Sequence, residues 1–279
     1  MSHYICNLIV PGAAKSGTSS LHEALDAHPD IAMSKNKEPH FFCCKPLFER
    51  GADYHNSLFD RTATFKVYGE SSTGYMICEQ AIQRISTNLR SPKIIMILRD
   101  PVDRTFSHYR WRYKLGLEKR SFLEALRKDG YEFNPEKPHK FGYMSYLQFS
   151  KYSVYVPLWI NAFGRKNVLL QDSRFFRNNT NLALSQIHRF LGVAPFERRH
   201  IAESNSTESL VARPNSAARF AARLLPTRFK KSQLYHKIRY SLLSMMTKEP
   251  PRNMSKSERN FIESELAEDI AYFHNIFRD

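Results

Sequence analysis

The feature that most constrains this chain lies near its start. A short apolar run, Ile5–Val10, breaks at Pro11-Gly12 and continues through Ala13-Ala14-Lys15-Ser16-Gly17-Thr18-Ser19. Thr18–Ala27 then carries Leu21, Ala24 and Leu25 at helical spacing, with Ser and Thr available at its start. The order is strand, glycine turn, helix. Glycines there let backbone N–H groups converge on an anion at the positive end of the helix dipole. The plainer reading of the same residues is a tight turn with a capped helix.

The rest of the chain repeats the alternation. Phe65–Tyr68 reads as a second short strand ending at Gly69-Glu70-Ser71-Ser72, and Glu79–Leu89 is helical. Ile94–Leu98 is apolar on both faces, which suits a central parallel strand covered by helices. It stops at Arg99-Asp100-Pro101, where Val102–Leu115 resumes helical spacing. Val168–Leu170, after Gly164, is a fourth strand, followed by the helical Leu182–Leu191. Such alternation predicts an α/β fold, with three α/β/α layers around a parallel sheet. The polar stretch from Gly116 to about Phe141 reads as an insertion. Residues 203–253, rich in Arg, Lys and Ser with Pro214, Pro226, Pro250 and Pro251, read as a basic cap over the sheet's end. Ser257–Phe277 closes the chain as one amphipathic helix with Phe261, Leu266, Ile270 and Phe273 on one side. The expected organisation is a single domain over 1–279, with its core at about 4–195 and cap and closing helix at about 196–279.

Composition narrows the partners. Lys plus Arg is 42 against 27 for Asp plus Glu, a net charge of +15. That balance favours an anionic partner: nucleic acid, anionic lipid, acidic polysaccharide or a phosphorylated cofactor. Cys6, Cys43, Cys44 and Cys78 show no CxxC pair and no zinc-like Cys/His spacing, so no metal is expected and the thiols read as reduced. No apolar run approaches the ~20 residues of a membrane span, and a cytoplasmic location is expected.

The glycine turn departs from the nucleotide-triphosphate loop in one informative way. That loop places Lys after its second glycine; here Thr18 follows Gly17, and Lys15 precedes it by two. An ordinary ATPase or kinase so arranged lacks its β/γ-phosphate lysine. The segment resembles the 5′-phosphosulfate loop of sulfotransferases that use 3′-phosphoadenosine 5′-phosphosulfate (PAPS). The resemblance implies that Lys15, Ser16, Gly17, Thr18 and Ser19 hold the 5′-phosphate and the sulfonate. Arg99 and Ser107 lie eight residues apart at the end of a strand and on the next helix, where guanidinium and hydroxyl suit a second phosphate. Pairing of Arg99 with Asp100 or Asp103 is the alternative. The string RDPVDRTFSHY is similar to the family's 3′-phosphate motif, implying that Arg99 and Ser107 bind that phosphate of PAPS.

Lys37-Glu38-Pro39-His40-Phe41-Phe42 brings together an acid and two groups able to steady negative charge. A surface charge pair ahead of two core phenylalanines is the plainer reading. The hexapeptide resembles the KEPHFF segment of heparan-sulfate-type sulfotransferases. By that resemblance Glu38 is the general base, with Lys37 and His40 beside it and Lys15 completing the catalytic set. Those relatives carry a lysine in a Glu-Lys-Thr-Pro-like stretch; here Gly69-Glu70-Ser71-Ser72-Thr73-Gly74-Tyr75 has none. The late RKGxxG segment of cytosolic sulfotransferases is also missing; by resemblance in order, Asn205 to Arg213 is expected in that role, with Arg213 as a further cofactor contact.

The resemblance runs over about residues 5–195. It implies a PAPS-dependent sulfotransferase acting on a hydroxyl-bearing acceptor, a glycan or glycosylated small molecule, with no nucleic-acid partner. Two alternatives stay open: a P-loop kinase or ATPase with a degenerate loop, and a nonenzymatic binder of nucleic acid or another anionic polymer, suggested by the charge and by the Arg/Lys-rich 213–239 stretch.

Overall fold

The computed structural model describes residues 3–129, 145–196 and 250–278. β1 (Leu8–Gly12) occupies the centre of a five-stranded sheet. β2 (Ile31–Met33) and β3 (Val67–Ser71) lie to one side of it, β4 (Lys93–Leu98) and β5 (Val168–Asp172) to the other, in the order β2-β3-β1-β4-β5. Every pairing is parallel.

The helices are α1 (Thr18–Asp26), α2 (Lys45–Phe48), α3 (Gly51–Asn56), α4 (Glu79–Asn88), α5 (Pro101–Lys114) and α6 (Phe122–Arg127) in the first half. α7 (Tyr152–Phe163), α8 (Ser173–Asn178), α9 (Thr180–Leu191), α10 (Lys256–Glu265) and α11 (Ala267–Ile276) follow. Because side chains alternate along a strand, β4 serves two cores at once. Ile95 and Ile97 meet Leu21, Leu25, Leu184 and Ile187 of α1 and α9. Ile94, Met96 and Leu98 meet Ile82, Ile85, Val156 and Trp159 of α4 and α7. This is a three-layer α/β/α sandwich, and each such buried aliphatic contributes roughly 1.5–3 kcal/mol. A third cluster joins Phe106 and Tyr109 of α5 to Phe122, Leu126, Ile262 and Leu266.

Several boundaries differ from the sequence expectation, for identifiable reasons. β1 is shifted to Leu8–Gly12, and the strand expected at Phe65–Tyr68 runs instead over Val67–Ser71. Polar Glu70 and Ser71 read as a turn, yet both are buried beside Ile9 and Val10 in the parallel register. β2, with only three residues, lacks a pattern long enough to announce itself. The stretch after Gly116 contains α6, whose Phe122, Ala125 and Leu126 are buried, so its first part is integral to the fold. The closing helix is two helices, parted at Leu266. α10 sends Ile262 into the α5–α6 cluster, whereas α11 sends Phe273 into the α7 cluster, and one straight helix does not serve both.

Candidate active site

The glycine turn starts where β1 leaves the sheet. Ile9 pairs with Ile94 and Gly12 with Met96, so the chain bulges across Pro11, which has no N–H to give β4. Gly12 passes close under Met76: a Cβ there would lie 3.0 Å from the Met76 Cβ and Sδ. Gly17 is the N-cap of α1 at φ 99°, a conformation that only glycine adopts freely. Thr18 and Ser19, available in the sequence as caps, lie inside the helix, and no side chain caps its first turn. The first N–H groups of α1 therefore face the loop without an intrahelical partner. Ser16 is buried, with its Oγ against the Tyr152 hydroxyl. The adjacent Tyr152 hydroxyl donates its own proton to Arg99 O at 3.0 Å.

Cations gather around this turn. Lys15 is brought down to about 8 by burial, then by the charges of Arg99, Lys37 and Arg104. Its ammonium sits 5.3 Å from the centre of the Trp111 ring and forms no ion pair with a carboxylate among the described residues. Arg104, fully buried on α5, is held by neutral acceptors: Ser150 Oγ at 2.5 Å, Tyr146 O, Thr105 Oγ1 and His108 Nδ1. Burial lowers it to about 10. Three other positive groups thus act on Lys15, which has no carboxylate of its own among the described residues, and that arrangement suits an anion.

Glu38 supplies the carboxylate on the other side. Its Oε1 accepts from Lys37 Nζ at 2.6 Å and from Thr73 Oγ1 at 3.0 Å, and its Oε2 from Thr73 N at 2.8 Å. His40 Nε2 lies 3.7 Å from Oε2. Burial pushes this carboxyl up, but Lys37, His40 and the Thr73 N–H outweigh it and hold the group at about 2. β3 fixes the segment, since Glu38 N donates to Ser71 O and His40 N to Ser72 Oγ. Lys15, Glu38 and His40 are three of the four non-glycine residues with positive φ among the described residues.

Arg99 follows β4, and its guanidinium lies 3.8 Å from Asp103 Oδ2. Asp100 caps α5, its Oδ1 accepting from Val102 N and Asp103 N at 3.0 Å each. Ser107, half-buried, is one turn beyond Asp103 on α5 and shares that face. Arg213 lies outside the described residues, as does Asn205. Among the described residues no group of three or more His, Cys, Asp or Glu is able to hold a metal ion.

The sulfotransferase domain family matches residues 7–218, most of the chain. This chain belongs to the sulfotransferase family. Among curated relatives, the bifunctional heparan sulfate N-deacetylase/N-sulfotransferase 1 of Xenopus laevis is 27% identical over 197 residues, covering 67% of this chain and 22% of that protein. The human heparan sulfate glucosamine 3-O-sulfotransferase 3B1 is 35% identical over 101 residues, 36% of this chain and 25% of that protein. The chain thus matches about a quarter of the length of these relatives. A sulfotransferase from Alicyclobacillus acidocaldarius shares the fold at TM-score 0.70 and 24% identity, over 98% of this chain and 96% of that one. Mouse SULT7A1, solved with PAP, does so at TM-score 0.51 and 16% identity, over 97% and 85%.

Several residues of this sulfotransferase's site escape the sequence. Thr73 holds both oxygens of Glu38, and Arg104 adds charge from within α5. Ser71 is buried, with its Oγ 3.0 Å from His22 Nδ1. Burial and Lys37 keep His22 below its ordinary range, against the pull of Asp26 and Glu38. Glu70, the other acid near the end of β3, is fully buried and paired with His55 Nε2 at 3.1 Å. Its partner His55 packs against Phe41 and Phe42, and with Glu70 itself fully buried neither of its oxygens is exposed to an acceptor.

Proposed function

We propose that this sulfotransferase transfers a sulfonate from PAPS to a carbohydrate hydroxyl. One observation carries the reading: Lys15, a buried cation with no carboxylate partner among the described residues, lies with Lys37, Arg99 and Arg104 beside an uncapped helix start and the buried Ser16 hydroxyl. Buried cations without matching acids are costly unless an anion completes them. The residues present suit a nucleotide with separate 5′ and 3′ acidic groups. Lys15, Ser16 and the N–H groups of Gly17 to Ser19 would take the phosphosulfate, with Arg99 and Ser107 on the 3′-phosphate.

Bound PAPS supplies an activated sulfonate. Glu38 accepts the proton of the acceptor hydroxyl as that oxygen bonds to sulfur. Lys15 offsets the charge left on the 5′-phosphate when the bridging S–O bond breaks, and Arg104 adds to the field. Lys37, in contact with Glu38, offsets charge on the sulfonate side. His40 steadies the Glu38 carboxylate at 3.7 Å. The chain's similarity to heparan sulfate sulfotransferases, and the Lys37–Phe42 segment, support a glycan as acceptor.

The test is sulfonate transfer from labelled PAPS to a panel of glycans and glycosylated small molecules. Label is expected on a carbohydrate hydroxyl without added magnesium. Transfer of phosphate from ATP instead, or no label on any acceptor while PAP leaves the melting temperature unchanged, overturns the reading.

A further inference from the structure

A cleft of ≈ 580 Å³ opens at the carboxyl ends of β4 and β5, with Arg99, Asp103, Ser173 and Arg177 in its walls. The parallel register pairs Leu98 with Asp172. The next residues, Arg99 and Ser173, therefore leave adjacent strands side by side, about 4.8 Å apart. Arg177 stands four residues beyond Ser173 on α8, so it shares that residue's face.

The acids of the cleft are already engaged. Asp172 Oδ1 accepts from Arg174 N at 2.6 Å, and Asp100 caps α5. Asp103 lies 3.8 Å from Arg99 and is half exposed. Among the described residues Arg177 forms no ion pair with a carboxylate. Burial first, and the Arg177 charge among other causes, bring Arg99 below its ordinary range, against the pull of Asp103. The guanidiniums of Arg99 and Arg177 thus face one cleft, whose aspartates are Asp100, Asp103 and Asp172, and of these only Asp103 lies within ion-pair distance of Arg99.

We propose that Arg177 is a specificity-determining residue for the donor nucleotide, placing a second guanidinium beside Arg99 on its 3′-phosphate. This rests on the donor proposed above. The order along the sheet edge supports it: Lys15 follows β1, Arg99 follows β4 and Arg177 follows β5, so the basic groups run outward from the sulfonate end. A phosphate dianion has acceptors enough for two forked guanidiniums, and a nucleotide lacking it has nothing to offer either.

The experiment measures, by titration calorimetry on the full chain, binding of PAP and of adenosine 5′-phosphate to wild type, Arg177→Gln, Arg177→Lys and Arg278→Gln. Arg278 lines the same cleft and controls for its overall charge. Arg177→Gln is expected to weaken PAP about tenfold, the worth of one charge-assisted hydrogen bond, and to leave adenosine 5′-phosphate unchanged. Arg177→Lys restores part of the loss, because charge returns without the fork. If wild type binds both nucleotides equally, the donor reading itself fails. If wild type prefers PAP but Arg177→Gln keeps the full preference, or Arg278→Gln loses as much, the role of Arg177 is overturned while the donor reading stands.

Discussion

Replacing Lys37 with Met removes the closest partner of the Glu38 carboxylate, 2.6 Å away, while keeping much of the side chain's volume. The fall of this carboxyl from 4.5 to about 2 corresponds to about 3 kcal/mol in favour of the ionised form, at about 1.4 kcal/mol per pH unit. Burial opposes that fall, so the gross effect of Lys37, His40 and Thr73 is larger still. Without Lys37, burial regains weight and Glu38 is expected to titrate at higher pH than in the wild type. A carboxyl lowered in the fold adds stability that is present above pH 4.5 and lost as pH falls toward 2. Lys37→Met should therefore melt several degrees below wild type at pH 7, from a loss of roughly 1–3 kcal/mol, and the two proteins should converge near pH 2. The acid limb of kcat/KM, followed from pH 4 to 9 at saturating PAPS, should move up into the ordinary carboxyl range. An unmoved acid limb in Lys37→Met, alongside an inactive Glu38→Gln, would refute the idea that Lys37 sets the basicity of Glu38.

Glu38→Gln keeps the shape but cannot accept a proton, so kcat should fall by about 10²–10⁴ with PAP affinity, read by calorimetry, nearly unchanged. Lys15→Ala should weaken both PAP binding and turnover. Because Lys15 titrates at about 8 and an anion favours its charged form, PAP affinity should decline as pH rises through about 8, and Lys15→Arg should abolish that decline. Glu70→Gln should lower the melting temperature by disturbing the buried pair with His55, yet leave kcat of the folded protein near wild type; a loss as large as that of Glu38→Gln would return Glu70 to the site. Turnover should persist in EDTA, and a strict magnesium requirement would favour the kinase alternative.

What could be read from the sequence was local. The glycine turn, the apolar run Ile94–Leu98 and the Asp100-Pro101 helix start each carry their conformation in adjacent residues, and each occurs in the fold. What escaped depends on contacts between distant residues. Glu70 looked like a turn acid until His55 was brought to it from fifteen residues away. Ser71 looked like a loop hydroxyl until His22, forty-nine residues earlier, closed on it. Arg104 sits three residues after Pro101 as an ordinary helix cation; only Ser150 and Tyr146, arriving through α7's approach, make it a buried charge facing Lys15. The closing helix broke because its apolar residues served two clusters, and helical spacing alone does not register a division of that kind.

The site also concentrates costs that a chain selected for stability alone would shed. Lys15 at φ 69°, Glu38 at φ 61° and His40 at φ 55° are left-handed without being glycine, at about 1–3 kcal/mol each. Lys15 further bears burial and the repulsion of three neighbouring cations. These costs persist because the surroundings over-determine the geometry: Ser71 O and Ser72 Oγ clamp the Glu38–His40 segment, and Gly17 sets the entry to α1. These contacts thus hold the sheet edge around Lys15, a buried cation with no carboxylate partner among the described residues. An anion that enters relieves repulsion without having to order the residues it meets, so its binding free energy is not consumed in folding a loop. It follows that occupancy should stabilise this edge more than any other part of the fold, because nowhere else among the described residues are strain and like charge held so closely together.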